Sequence, residues 1–469
     1  MKLIILATVA IFFINLPLLL SASGGHIQVG VNYGILGDKL PEPTKSVELI
    51  RSLKAQQVKL YSPDPDILKA LNGTKLRTSI MVPNQLISNI SSSQEIANEW
   101  IRTNFVPYYP DTLITCVLVG NEILTPTDDA GKKIWYDLVP AMRKIKYALK
   151  VNNITKVKVG TPLAMDVLES SFPPSNGTFR SDIASPVVRP LLQFLHKTKS
   201  FFFIDCYPYF AWAGNYQSID LSYTLFVGST TYTDPVSGLT YTNLLDQMLD
   251  SLVFAMKRLG FPDIRIFISE TGWPNGGDVN EIGANVYNAA TYNRNLVAKL
   301  TAKPVKGTPA RPGIMLPAFI FSLFNENQKP GPGTERHWGL FYPNGSEVYP
   351  VDLSGKTPLS SYPALPLPDN DKPYIGKVWC VVATGANVTD LGPAVTYACN
   401  QGNHTCDAIK PWGKCYEPNT TTSHASYAFS SYWAQFRAIG GTCNFNGLAE
   451  ETTKDPSYGS CRYPAVTFT

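Results

Sequence analysis

A (β/α)8 barrel followed by a small disulfide-rich domain is the fold that this α/β sequence predicts, and three observations carry the prediction. Short β-branched runs alternate with amphipathic helical stretches from residue 26 to about 352. A proline-dense segment over residues 353–377 ends that alternation. Six of the eight cysteines then fall between Cys380 and Cys461. At 469 residues the chain is also longer than one hydrophobic core supports, so more than one domain is expected.

The first element is a targeting segment. Lys2 gives a positive start, residues 3–20 are apolar apart from breaks at Asn15 and Pro17, and Ser21, Ala22 and Ser23 form a small-residue exit. This pattern predicts a signal peptide over residues 1–23 and a secreted, extracellular or cell-wall protein. No other segment reaches the ~18 apolar residues that span a bilayer. The C-terminus, Tyr463-Pro-Ala-Val-Thr-Phe-Thr469, lacks a lipid-anchor tail. Asn72, Asn89, Asn153, Asn176, Asn344, Asn387, Asn403 and Asn419 open glycosylation sequons, in keeping with secretion. The net charge of +4 is dispersed, which argues against a nucleic-acid partner, and a monomer is expected.

The barrel is expected over residues 24–352. Its strand-like runs are 28–31, 57–60, 78–82, 116–119, 156–161, 201–206, 265–269 and 318–323. Most precede a helical pattern. The clearest lies over 241–259, where Leu244, Leu245, Met248, Leu249, Leu252 and Met256 fall at helical spacing. Another covers 134–150, with Leu138, Met142, Ile145 and Leu149 on one stripe. Eight such units match a barrel with its catalytic groups at the C-terminal strand ends. A doubly wound sheet is the alternative, but no Gly-x-Gly-x-x-Gly follows the first strand. Proline density makes 353–377 an extended linker. The module that follows, 378–464, is small enough to need three disulfides.

Three segments place carboxylates directly after predicted strands: Val119-Gly-Asn-Glu122, Ser269-Glu-Thr-Gly-Trp-Pro274 and Phe324-Asn-Glu-Asn-Gln-Lys329. An Asn-Glu pair alone is common on surface loops. Convergence on one barrel rim is what makes Glu122, Glu270 and Glu326 candidates. Glycoside hydrolysis needs one carboxyl protonated, to donate to the leaving oxygen, and one ionised, to meet the anomeric carbon. Crowding raises one pKa, while hydrogen bonds and Lys329 hold another down. The five histidines are scattered without ligand spacing, so no metal site is expected.

These residues carry a family resemblance. Val31-Asn-Tyr-Gly34, Val119-Gly-Asn-Glu122, Ser269-Glu-Thr-Gly-Trp-Pro274 and Leu323-Phe-Asn-Glu-Asn-Gln-Lys329 resemble the plant glycoside hydrolase family 17 endo-β-1,3-glucanases. The C-terminal cysteine pattern resembles the X8 domain, or carbohydrate-binding module family 43, which binds β-1,3-glucan. Val159-Gly-Thr-Pro-Leu-Ala-Met-Asp166 and the segment 170–180 resemble the anther-type branch, associated with dissolving callose around pollen tetrads.

The resemblance implies an endo-acting hydrolase of β-1,3-glucan that works by retaining double displacement, without metal or organic cofactor. It makes Glu122 the proton donor and Glu270 the nucleophile, with the carboxyls ~5–5.5 Å apart. Tyr33, Asn121, Tyr207, Trp273, Glu326 and Lys329 match substrate-binding or supporting positions, although Tyr33 and Trp273 also suit packing. In the module the resemblance implies Cys380–Cys443, Cys399–Cys461 and Cys406–Cys415. Trp379, Trp412, Tyr427, Tyr432 and Trp433 are shared between sugar stacking and a thin core. Cys116 and Cys206, on the fourth and sixth strands, are expected to be buried thiols. One position departs from the pattern: Asp205 stands where most of the family carries Asn. A non-catalytic glucan-binding wall protein and a glucan transglycosylase are the alternative functions.

Overall fold

The computed structural model describes residues 29–469, so the expected signal peptide and the first residue of the first strand-like run lie outside the described residues. The barrel staves are β1 (Val29–Tyr33), β2 (Gln57–Leu60), β3 (Arg77–Val82), β4 (Ile114–Val119), β5 (Lys158–Gly160 with Pro162–Ala164), β6 (Phe202–Asp205), β7 (Ile266–Thr271) and β8 (Ala318–Ile320). All neighbouring staves pair in parallel. The first half of β5 pairs with β4 and the second half with β6, which brings the sheet round into a barrel. Pro162 has no N–H to extend the ladder, and the strand divides there.

Strand alternation sorts the side chains onto two faces. Val58, Leu60, Ile80, Val82, Val117 and Val119 belong to the large core between the barrel and its helices. Met81, Cys116, Leu118, Phe203, Phe267 and Phe319 form a separate cluster inside the barrel. There the Phe267 ring stacks on Phe203 at 5.0 Å and on Phe319 at 5.1 Å, so the interior is packed rather than open. Cys116 and Cys206 are free, buried thiols in different clusters, one on each face of the sheet.

The helix expected from residue 241 begins later, at Leu244–Arg258. Asn243 accepts a hydrogen bond from the Asp246 N–H and caps it there. The pattern over 134–150 is likewise broken, into Asp129–Trp135 and Leu138–Val151.

In the C-terminal module the strand Gly376–Val382 is flanked by antiparallel Ala449–Thr452 and Val466–Phe468. The helix Thr421–Phe436 packs on this sheet, and the helix Leu391–Asn400 packs on that helix. Two of the three disulfides implied by the resemblance need correction. Cys380 bonds Cys443, but Cys399 bonds Cys406 and Cys415 bonds Cys461, in place of Cys399–Cys461 and Cys406–Cys415. Cys399 lies at the end of a helix after which the chain doubles back, bringing the Cys406 Cα within 5.3 Å. That local loop leaves Cys415 for Cys461, whose Cα atoms lie 4.8 Å apart. The module touches the barrel where Glu451 accepts a 2.8 Å hydrogen bond from the Val279 N–H. The preceding segment is tied down by Asn370, which bonds Ala284 and Asn285 at 3.0 and 2.7 Å.

Candidate active site

At the C-terminal ends of the strands lies a cavity of about 1140 Å³, lined by Glu122, Tyr207, Glu270, Asp205, Lys329 and Trp338 among others. Glu270 reaches it through an irregularity in β7. Phe267 and Ser269 face inward by strand alternation, which would send residue 270 outward. The register against β6 shifts between Ile268 and Glu270, and the bulge turns Glu270 inward as well. Thr271 then faces the helices, where its hydroxyl meets Tyr292 at 2.6 Å.

Glu270 is 6% exposed and is held by three donors. Oε1 accepts from Lys59 Nζ at 2.7 Å and from the Tyr61 hydroxyl at 2.5 Å, and Oε2 accepts from the Tyr207 hydroxyl at 2.7 Å. Burial alone would raise its pKa. The Lys59 charge and these hydrogen bonds outweigh burial and hold the carboxyl below its ordinary value.

Glu122 follows β4 on a tight turn. Gly120 and Glu122 both take the left-handed conformation, at φ 72° and 50°, which for a glutamate is a strained choice. The turn is fixed on both sides of Asn121. Its N–H donates to Asn84 Oδ1 at 2.8 Å, and Asn84 Nδ2 donates to its carbonyl at 3.0 Å. The Glu122 N–H donates to the Pro162 carbonyl at 3.0 Å. Among the described residues Glu122 meets no such set of donors. Burial and then the Glu270 charge push its pKa up to about 7. The two glutamates are thus driven in opposite directions by their surroundings.

The other expected residues divide. Tyr207 and Lys329 line the cavity. Lys329 pairs with Glu335 at 2.9 Å and lies over the Phe321 ring at 4.5 Å. Glu326 is buried behind the rim, where it accepts from the Leu36 N–H at 2.8 Å, and burial raises its pKa. A Cβ at Gly34 would lie 2.3 Å from that carboxylate, so this approach requires glycine.

Two expected contacts are corrected. Tyr33 has the same parity as Val29 and Val31, so it faces the outer core and packs on Phe324. Trp273 is fully buried, with its indole N–H donated to the Gly283 carbonyl at 2.7 Å. Both are packing residues.

Lys59 and Tyr61 went unread in the sequence. The signal available was a lysine between Val58 and Leu60 at an inward strand position, with a tyrosine two residues on. Trp338, edge-on to Tyr207 at 5.0 Å, and Glu335 carry no comparable local signal. Among the described residues no group of three or more His, Cys, Asp or Glu side chains is placed to hold a metal ion.

The model of glycosyl hydrolases family 17 matches residues 29–353, and that of the X8 domain matches residues 378–450. The chain belongs to glycosyl hydrolase family 17. Within this family it is 55% identical to the probable glucan endo-1,3-beta-glucosidase A6 of Arabidopsis thaliana, covering 94% of this chain and 91% of that one. A glucan endo-1,3-beta-D-glucosidase of Olea europaea is 37% identical, covering 93% of both. Among solved structures, CJP38, a beta-1,3-glucanase and allergen of Cryptomeria japonica pollen, superposes with a TM-score of 0.65 at 39% identity. That match covers 70% of this chain and 99% of that one. The family 17 member described here is a glucan endo-1,3-β-glucosidase with an X8 domain.

Proposed function

We propose that the protein cleaves internal β-1,3-glucosidic bonds of callose outside the cell, by retaining double displacement. Glu270 attacks the anomeric carbon as a carboxylate while Glu122 gives its proton to the leaving oxygen. The glycosyl–Glu270 ester is then opened by water, whose proton Glu122 takes back. The observation that carries this reading is the opposite setting of the two acids. Lys59, Tyr61 and Tyr207 favour the carboxylate form of Glu270 and hold its pKa down, while burial and the Glu270 charge raise that of Glu122 to about 7.

Tyr207 and Lys329 are the proposed substrate contacts from the cavity wall, with Asn121 and Glu326 in support. The signal segment over 1–23, the barrel over 24–352, the linker over 353–377 and the module over 378–464 are proposed as the working units. In that arrangement the module keeps the barrel at insoluble glucan and raises the local substrate concentration. The 55% identity to the probable glucan endo-1,3-beta-glucosidase A6 supports a β-1,3-glucan substrate, and the anther-type assignment with its role in callose removal rests on the resemblance of the segments 159–166 and 170–180. Product analysis on a β-1,3-glucan oligosaccharide series tests the mechanism. Wild type should release short products with retained anomeric configuration, and Glu270→Gln should release none. Full activity in Glu270→Gln, or an inverted product, would overturn it.

A further inference from the structure

Beside the two glutamates lies a third buried acid that the two-carboxylate mechanism does not use. Asp205 ends β6, is 2% exposed, and is the register partner of Glu270 on β7. It has the inward parity of Phe203. Lys59 Nζ is 4.0 Å from its Oδ1, yet that ammonium has three nearer acceptors. These are Glu270 Oε1 at 2.7 Å, Ser269 Oγ at 3.0 Å and the Ser269 carbonyl at 3.4 Å. Three donors are therefore matched by three acceptors before Asp205 is reached. Both Asp205 oxygens are buried without a hydrogen-bond partner among the described residues.

The polar and titratable groups around it are Lys59 of β2 and Tyr61 just past it, Ser269 and Glu270 from β7, Glu122 after β4, and its chain neighbours Cys206 and Tyr207. An ionised carboxylate in that place would be desolvated and beside another anion, with only the Ser269 hydroxyl near enough to oppose its burial.

We propose that Asp205 is a positioning residue for Glu270 that works in its protonated form. Carrying a proton, it leaves Lys59 committed to the nucleophile. Once it releases that proton to solvent, the new anion competes for Lys59 and raises the proton affinity of both glutamates. Burial first, and the Glu270 charge second, push the Asp205 carboxyl well above its ordinary range, with Lys59 and the Ser269 hydroxyl offsetting only part. The proposal rests on Glu270 being the nucleophile.

The test is the pH profile of kcat/KM of the full chain on a soluble β-1,3-glucan oligosaccharide. In wild type the alkaline limb should fall with the loss of two protons, one from Glu122 and one from Asp205. Asp205→Asn keeps the shape without the proton. It should fall with one proton and hold the plateau within about threefold of wild type. Asp205→Ser should show the same single-proton limb, which guards against an effect peculiar to the amide. A single-proton limb in wild type, unchanged in both variants, would overturn the proposal. So would a plateau in Asp205→Asn reduced more than about tenfold at an unchanged melting temperature, because the charge at 205 would then be needed. A role confined to packing would lower the melting temperature and leave the limb alone, which also counts against it. If Glu270→Gln stays active, the nucleophile assignment fails whatever the 205 variants do, so the two failures are distinguishable.

Discussion

The barrel and the C-terminal module bury their interiors by different means. The barrel closes a parallel sheet around stacked phenylalanines and covers it with helices, and it leaves both of its cysteines as thiols. The module has a far smaller core, in which Cys380, Cys415, Cys443 and Cys461 are themselves buried members. Surface-to-volume scaling explains the contrast: a domain under a hundred residues cannot bury enough apolar surface, and cross-links restrict its unfolded chain instead. The difference also frees the barrel mouth. Staves each held by neighbours on both sides can between them carry a buried lysine and three acids at one mouth without unfolding.

Four measurements would break or sharpen that comparison. Glu270→Gln should lower kcat by at least about 10³-fold while leaving the melting temperature at or above that of wild type. A large loss of stability would mean that the site and the barrel core are not separable. Lys59→Met should cost about 10²-fold and move the acid limb of the profile upward, because the cation that holds Glu270 down is gone. In the module, Cys415→Ser together with Cys461→Ser should destabilise by about 2–5 kcal/mol, read by calorimetry of the module transition. In the barrel, Cys206→Ala should cost only about 1 kcal/mol by the same measurement, since it removes one buried sulfur from a large core. If the two cysteine experiments gave equal losses, the distinction between the two interiors would fail.

The wild-type pH profile tests the electrostatics directly. Glu122 must be protonated, and its pKa is raised to about 7, so activity should decline as pH rises through that value. Glu270 must be ionised, and its pKa is lowered, so activity should persist on the acid side below the ordinary glutamate range.

The staves were legible because alternation and β-branching repeat along the chain, and Glu122 and Glu270 were legible because short motifs sit at strand ends. Tyr33 was misplaced by trusting its motif over its parity: it shares a face with Val29 and Val31. Trp273 lies beyond the strand, where no period assigns a direction. The disulfide pairing was not legible, because spacing does not say that the chain doubles back after Cys399. Lys59 was hidden for the opposite reason: a lone lysine in a short strand gains its meaning only from Ser269 and Glu270, more than two hundred positions away.

A strand with two faces behaves like a reading frame, in which every residue is assigned a side by counting. The bulge in β7 is a frameshift written into that frame just before Glu270. Ironing that bulge flat with every residue kept would leave hydrophobicity and composition untouched, yet it would turn the carboxylate toward the helices and Thr271 toward the sugar. Phase, as much as residue identity, is what a redesign of this strand has to preserve.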